Sequence, residues 1–303
     1  MTLEVPLKLQ QESLFINDAE HQLHLRHIYK KANGVPVLML HGVIENGKIF
    51  YTQSGKGLAC FLADHGFDVY VADFRGKGLS KPSLKANSSH GQFETITQDI
   101  PLFLDFITKR CQQKIHVICH SWGGVLFSSC LARYPKRVSQ IASNICFGSK
   151  RSIYQKGFQK WWKVDLFWNK LAPSLARKNG YIDAVKLKFG SDNESLLFLQ
   201  QSIEWVKILP WKDPKDNYDY SQGALLIEWP DTWHITGIND KLLGHKDDVR
   251  AFIDESNKQA KFSLLSKDAG NAHNYDHIDI LTHIKAVDDH FPKIVDWLKA
   301  RGC

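Results

Sequence analysis

The chain has 303 residues, 43% of them hydrophobic and 23% charged. That is a globular composition, long enough to bury about three quarters of the unfolded surface, which excludes a fold dependent on disulfide or metal staples. The net charge of +7 is uneven: between Lys150 and Gly190 ten lysines and arginines face only Asp165 and Asp183, a local +8. Such an asymmetry points to a local surface rather than to general solubility.

In chain order, the first thirty residues contain no apolar run of signal-peptide or membrane-span length. They alternate as two strands, "LEVPLKLQ" and "HQLHLRHIYK", around a turn at "NDAE". "VPVLML" (35–40) is a continuous apolar run, the mark of a strand buried on both faces, and it ends in His41-Gly42. A helix-like stretch over 55–65 leads to a second such run, "FDVYVA" (67–72), and then to the loop "DFRGKGLS". Ile96, Ile100, Phe103, Leu104 and Ile107 have helical spacing.

"KIHVIC" (114–119) is the next strand and "WGGVLFSSCLARYP" (122–135) a helix stopped by Pro135. "QIASNICFG" (140–148) is again strand-like. Past residue 225 come a strand at "TWHITG", a helix near Asp247–Ser256, a strand at "KFSLLS" and a last helix at "FPKIVDWLKA". Strands alternating with helices give an α/β fold with a mostly parallel sheet flanked by helices.

The alternation breaks over 148–225, which is rich in Trp, Phe and Lys. This stretch reads as a helical cap inserted into a core made of 1–147 and 226–303. Within it Ser191-x-x-Glu194 has the spacing of a capping box ahead of Leu196 and Leu197. The six cysteines, at 60, 111, 119, 130, 146 and 303, form no C-x-x-C pair. Buried free thiols in a reducing, cytoplasmic setting are the expectation.

The chemistry centres on "CHSWGG" (119–124). Ser121 sits where a buried strand meets a helix, the context a nucleophile elbow needs. Cys119 stands where the usual G-x-S-x-G pattern has its first glycine. His120 adjoins Ser121 in sequence, but neighbouring side chains at a strand end point apart, so a general base has to come from elsewhere.

With these residues in view, the sequence resembles an α/β-hydrolase-fold serine hydrolase, similar to the esterase, lipase and lysophospholipase branch. "LMLHGV" supplies the strand ending in His-Gly, "VADFRGKGLS" the D-x-R-G-x-G-x-S loop, and Ser121 the elbow. "HITGIND" supplies G-x-x-D with Asp240, and "YDHIDIL" the H-x-D pattern with His277. The resemblance implies Ser121 as nucleophile, His277 as general base and Asp240 as its orienting acid. It also implies an oxyanion hole from the backbone N–H groups of Val43 and Trp122, with neither cofactor nor metal.

Asp231 is the rival acid, but it precedes its strand and so belongs to the other end of a parallel sheet. His273 and His283 are the rival bases. Trp161, Trp162, Phe167 and Trp168 are candidates to line an apolar tunnel for an acyl chain, or else to form the cap's own small core. Lysines alternating with tryptophans also suit peripheral contact with an anionic membrane surface, while no nucleic-acid recognition motif accompanies the charge. The reaction expected is hydrolysis of a lipid-like or small-molecule carboxylic ester with an apolar acyl group, through an acyl-enzyme. A C–C or amide hydrolase with the same triad, or a non-catalytic ligand-binding member of the fold, is the alternative.

Overall fold

The computed structural model describes residues 8–31, 33–155, 161–207 and 210–302, with the backbone alone over 161–165. Ten strands occur in it: β1 (Gln10–Asp18), β2 (His21–Tyr29), β3 (Val35–Leu40), β4 (Phe67–Asp73), β5 (Ile115–His120), β6 (Ile141–Phe147), β7 (Tyr181–Ile182), β8 (Glu194–Ser195), β9 (Thr232–Gly237) and β10 (Lys261–Leu265). Eight of them form one sheet in the order β1-β2-β4-β3-β5-β6-β9-β10. The pairs β1–β2 and β2–β4 are antiparallel and every later pair is parallel.

The apolar runs explain why the sheet is covered twice. In β3, Leu38 and Leu40 face a cluster with Phe103, Val125 and Phe127, while Val37 and Met39 face one with Leu58, Leu62, Ile294 and Leu298. Helices Ile100–Cys111 and Trp122–Arg133 carry the first cluster, and Leu58–Asp64 and Phe291–Lys299 the second. Each such side chain taken fully from water contributes roughly 1.5–3 kcal/mol, so a strand with two apolar faces is held only between two helical layers.

The stretch 148–225 is less uniformly helical than its composition suggests. A π-helical segment, Trp161–Leu171, runs into Ala172–Ala176. The short pair β7–β8 follows, then helices Leu196–Val206 and Tyr220–Leu225. Trp205, Trp211 and Tyr220 are buried in the same cluster as Trp122 and Phe127, so the end of this stretch packs into the main core.

The Ser191–Glu194 capping box does not form. Ser195 caps the helix instead, its Oγ accepting from Phe198 N at 3.0 Å. Glu194 is drawn to the buried ammonium of Lys77 at 2.8 Å. A carboxylate within reach of a buried cation gains more there than from a helix amide. Cys60, Cys119, Cys130 and Cys146 are buried free thiols, Cys111 is partly buried, and Cys303 lies outside the described residues. No helix among the described residues is long and apolar enough to cross a membrane.

Candidate active site

Ser121 is the one residue between β5 and the helix Trp122–Arg133, at φ 53 and ψ −126. Only a tightly enforced turn keeps a residue with a side chain in that region. Enforcement comes from both sides. The Ser121 amide donates to Phe147 O at 2.8 Å, and the following helix starts so close to β3 that a Cβ on Gly123 would lie 2.5 Å from His41 O.

Cys119 does not disturb this geometry because its side chain points into the apolar cluster under the helix, with Sγ 3.9 Å from Asn144 Oδ1. Burial holds its thiol well above the ordinary value, so it stays protonated and unreactive.

His120 points away from the elbow tip. Its Nδ1 pairs with Glu45 Oε1 at 2.7 Å and its Nε2 donates to the backbone carbonyl of His277 at 2.9 Å. Burial works to lower the imidazole, but the Glu45 carboxylate and the His277 carbonyl bring it above its ordinary value. Burial likewise works to raise Glu45, and the His120 charge and hydrogen bond bring it below. The two form a buried ion pair that braces the elbow against the His277 loop.

This brace has a pH signature. Stability from a depressed carboxylate is present above its ordinary 4.5 and is lost as pH falls through the folded value; that from a raised histidine is complete below 6.5 and is lost as pH rises through the folded value. Glu45→Gln is therefore expected to destabilise by ~3–5 kcal/mol at mildly acidic pH and by clearly less at alkaline pH. Urea unfolding of both proteins at the two pH values reads the difference; an equal loss at both counts against the charged pair.

The loop after β9 brings Asp240 to the same end of the sheet. Gly237 lets it pass under the next loop, since a Cβ there would lie 2.1 Å from Tyr275 O. Asp240 Oδ2 accepts from His277 Nδ1 at 2.6 Å, and both side chains are buried. Burial works to raise the Asp240 carboxyl, but the imidazole, the Gly244 amide and the ammonium of buried Lys150 bring it below the ordinary value.

The pair lies against Gly148, directly after β6, where a Cβ would come within 2.9 Å of the His277 ring. Ser121 is tied to the residue before it, Phe147. Ser121 keeps partial exposure, and among the described residues no hydrogen bond joins its Oγ to His277. Such bonds are often long until substrate binds.

The rival residues go elsewhere. Asp231 sits at the opposite end of β9, exposed and paired with Arg301 Nε at 2.8 Å. His273 stacks on His283 at 4.2 Å and takes the Asp279 carboxylate at 3.1 Å, so the aspartate of the H-x-D pattern serves His273 rather than His277.

Around the expected oxyanion hole, three consecutive amides are distinguished by their partners. Gly42 N–H donates to Glu45 Oε1 and Ile44 N–H to Glu194 Oε2 at 3.2 Å. Val43 N–H between them, and Trp122 N–H at the start of its helix, have no acceptor among the described residues. Ile44 has φ 53, costly for a β-branched residue by on the order of 1–3 kcal/mol. Glu45, Glu194 and Lys77 were not legible as site residues. The one hint is that Glu45 lies just past His41-Gly42 and Lys77 within the D-x-R-G-x-G-x-S loop, whereas nothing around Glu194 in "GSDNESLL" marks it.

Phe167 and Trp168 pack on the small apolar cluster of Ala172, Ala176, Ile182, Leu199 and Ile203, with Phe167 edge-on to Phe189 at 4.9 Å. The side chains of Trp161 and Trp162 lie outside the described residues. Among the described residues no three His, Cys, Asp or Glu side chains are arranged to hold a metal.

Known proteins share this architecture. The family described as serine aminopeptidase, S33, matches residues 31–197. Triacylglycerol lipase 2 of Arabidopsis thaliana is 28% identical over 173 residues, covering 52% of this chain and 41% of that protein. Lipase member N of Homo sapiens is 24% identical over 230 residues, covering 71% and 57%. The chain thus matches about two fifths of the length of the first and under three fifths of the second.

Among solved structures, a soluble variant of monoglyceride lipase from Saccharomyces cerevisiae, in complex with a substrate analog, superposes with a TM-score of 0.70 at 16% identity. It covers 99% of this chain and 98% of that one. Est1E from Butyrivibrio proteoclasticus, with ferulic acid bound, superposes with a TM-score of 0.61 at 13% identity, covering 95% and 98%. At these identities the likeness is one of fold.

Proposed function

The chain belongs to the serine aminopeptidase S33 family of hydrolases, and from that premise we propose that it is a serine hydrolase of carboxylic esters with apolar acyl groups. The observation that carries the reading is the buried 2.6 Å hydrogen bond from His277 Nδ1 to Asp240, at the same sheet edge as Ser121 on its strained elbow. Ser121 Oγ attacks the acyl carbon while its proton passes to His277 Nε2. The negative charge gathers on the carbonyl oxygen, facing Val43 N–H and Trp122 N–H. The tetrahedral species collapses as the ester C–O bond breaks and His277 returns the proton to the leaving alcohol. Water then repeats the sequence on the acyl-enzyme. Asp240 holds the tautomer and offsets the imidazolium charge, and no step needs a cofactor.

Lipid-like substrates are favoured by relatives named as lipases and by the part of the inserted stretch over 150–190, whose local +8 suits docking at an anionic lipid surface. The description of the matched family favours a second reading, amide hydrolysis at a free amino terminus. That substrate end is an ammonium, and the same basic stretch opposes it.

Hydrolysis of p-nitrophenyl esters of increasing acyl length, beside aminoacyl p-nitroanilides, separates the two. Ester turnover rising with chain length, with anilides untouched, is the expected outcome. A preference for anilides transfers the function to the peptidase reading.

A further inference from the structure

We propose that Glu194, neutralised by Lys77, is a positioning residue that sets the oxyanion hole, so that the inserted stretch takes part in transition-state stabilisation as well as covering the site. The inference rests on the serine-hydrolase reading above.

Four hydrogen bonds fasten residues 191–194 to the loop after β3, and a fifth ties them to the loop after β4. Glu194 Oε2 accepts from Ile44 N at 3.2 Å. Ser191 N and Asp192 N both donate to Ile44 O at 3.0 Å. Asp192 Oδ2 accepts from Asn46 Nδ2 at 2.8 Å and from Gly78 N at 2.7 Å. The peptide groups on both sides of Ile44 are therefore gripped from the insertion, and Ile44 itself sits at φ 53, where a β-branched residue stays only under constraint. Val43 is its immediate neighbour, so releasing Ile44 lets the Val43–Ile44 peptide rotate, and the shift passes through the Val43 backbone to the preceding Gly42–Val43 peptide, which carries the Val43 N–H away from the developing oxyanion.

Charge matters as much as geometry. Glu194 is buried beside a site that must receive a negative oxygen, and an unpaired carboxylate there repels it. Lys77 removes that penalty: its Nζ lies 2.8 Å from Glu194 Oε2 and also donates to Asn193 O, with both charged side chains buried. On the other side of Val43, His120 neutralises Glu45 in the same way. The oxyanion loop is thus held by two carboxylates, each cancelled by its own cation.

The test is steady-state ester hydrolysis by Glu194→Leu and by Lys77→Met/Glu194→Leu, which leave Ile44 N–H without its acceptor, with kcat expressed per active site titrated and Ser121→Ala as control. The double variant removes both charges together, so it avoids an isolated buried ion and tests the hold even if the single variant folds poorly. In both variants kcat is expected to fall ~10–100-fold, less than outright loss of an oxyanion donor, with KM within about twofold. Affinity for a trifluoromethyl ketone, which forms a tetrahedral adduct, is expected to fall in parallel. Unchanged kcat per titrated site in the double variant, or a loss confined to KM, overturns the positioning role while Ser121→Ala remains inactive. If Ser121→Ala keeps the native rate, the hydrolase reading fails and this inference with it.

Discussion

Replacing Ser121 by alanine is expected to lower kcat for ester hydrolysis by on the order of 10⁴–10⁶, with the folded state retained. The size follows from the role: without Oγ there is no nucleophile for His277 to activate, and only binding and the oxyanion donors remain. The fold does not depend on the hydroxyl, because the elbow is held by the Ser121 amide on Phe147 O and by the close helix–strand approach at Gly123. The backbone strain separates this prediction from a general loss of structure. Alanine retains the Cβ at φ 53, whereas glycine is free of the penalty. Ser121→Gly is therefore expected to be inactive yet more stable than Ser121→Ala, by about 1 kcal/mol. Activity that survives in either variant removes Ser121 from the chemistry.

Asp240→Asn is the second large effect, a drop in kcat on the order of 10⁴. Asparagine fits the space but offers an N–H where His277 Nδ1 now finds an acceptor at 2.6 Å. The imidazole then carries its proton on Nε2, facing Ser121, and cannot accept another. KM is expected to change little, since Asp240 is buried behind the ring and away from substrate. A stability signature accompanies the kinetic one. The carboxyl lies below its ordinary 3.8 in the folded protein, so it stabilises above that pH and the contribution is lost as pH falls through the folded value. The asparagine variant lacks that acid limb. Loss of activity with no change in acid unfolding argues that the 2.6 Å contact is not an ion-assisted bond.

The fold was legible because strands buried on both faces must be apolar at every position: "VPVLML", "FDVYVA" and "KIHVIC" announce a parallel sheet between helices. The placement of Ser121 just past β5 and of Asp240 shortly past β9 was legible for the same reason, since strand ends are local features. What sequence could not supply is pairing between distant loops. Glu194 shows this well. Its spacing from Ser191 favours a capping box, yet Lys77 and Ile44 N, which claim it, come from loops more than a hundred positions away. His120 is a second case, since nothing near it in sequence indicates that Glu45 and the His277 carbonyl are its partners. The aromatic residues of 148–225 are a third: Phe167 and Trp168 have the composition of a tunnel lining, and the contacts the structure gives them are those of a small core. Composition cannot tell these apart, because both uses require the same apolar surface.

The central claim, that Ser121 is an activated nucleophile, is tested most directly by labelling the native protein with a fluorophosphonate and locating the adduct by peptide mass spectrometry. A single phosphonyl group on Ser121, absent after Asp240→Asn at matched exposure times, is the expected result. No adduct, or an adduct on any other residue at the native rate, contradicts the account.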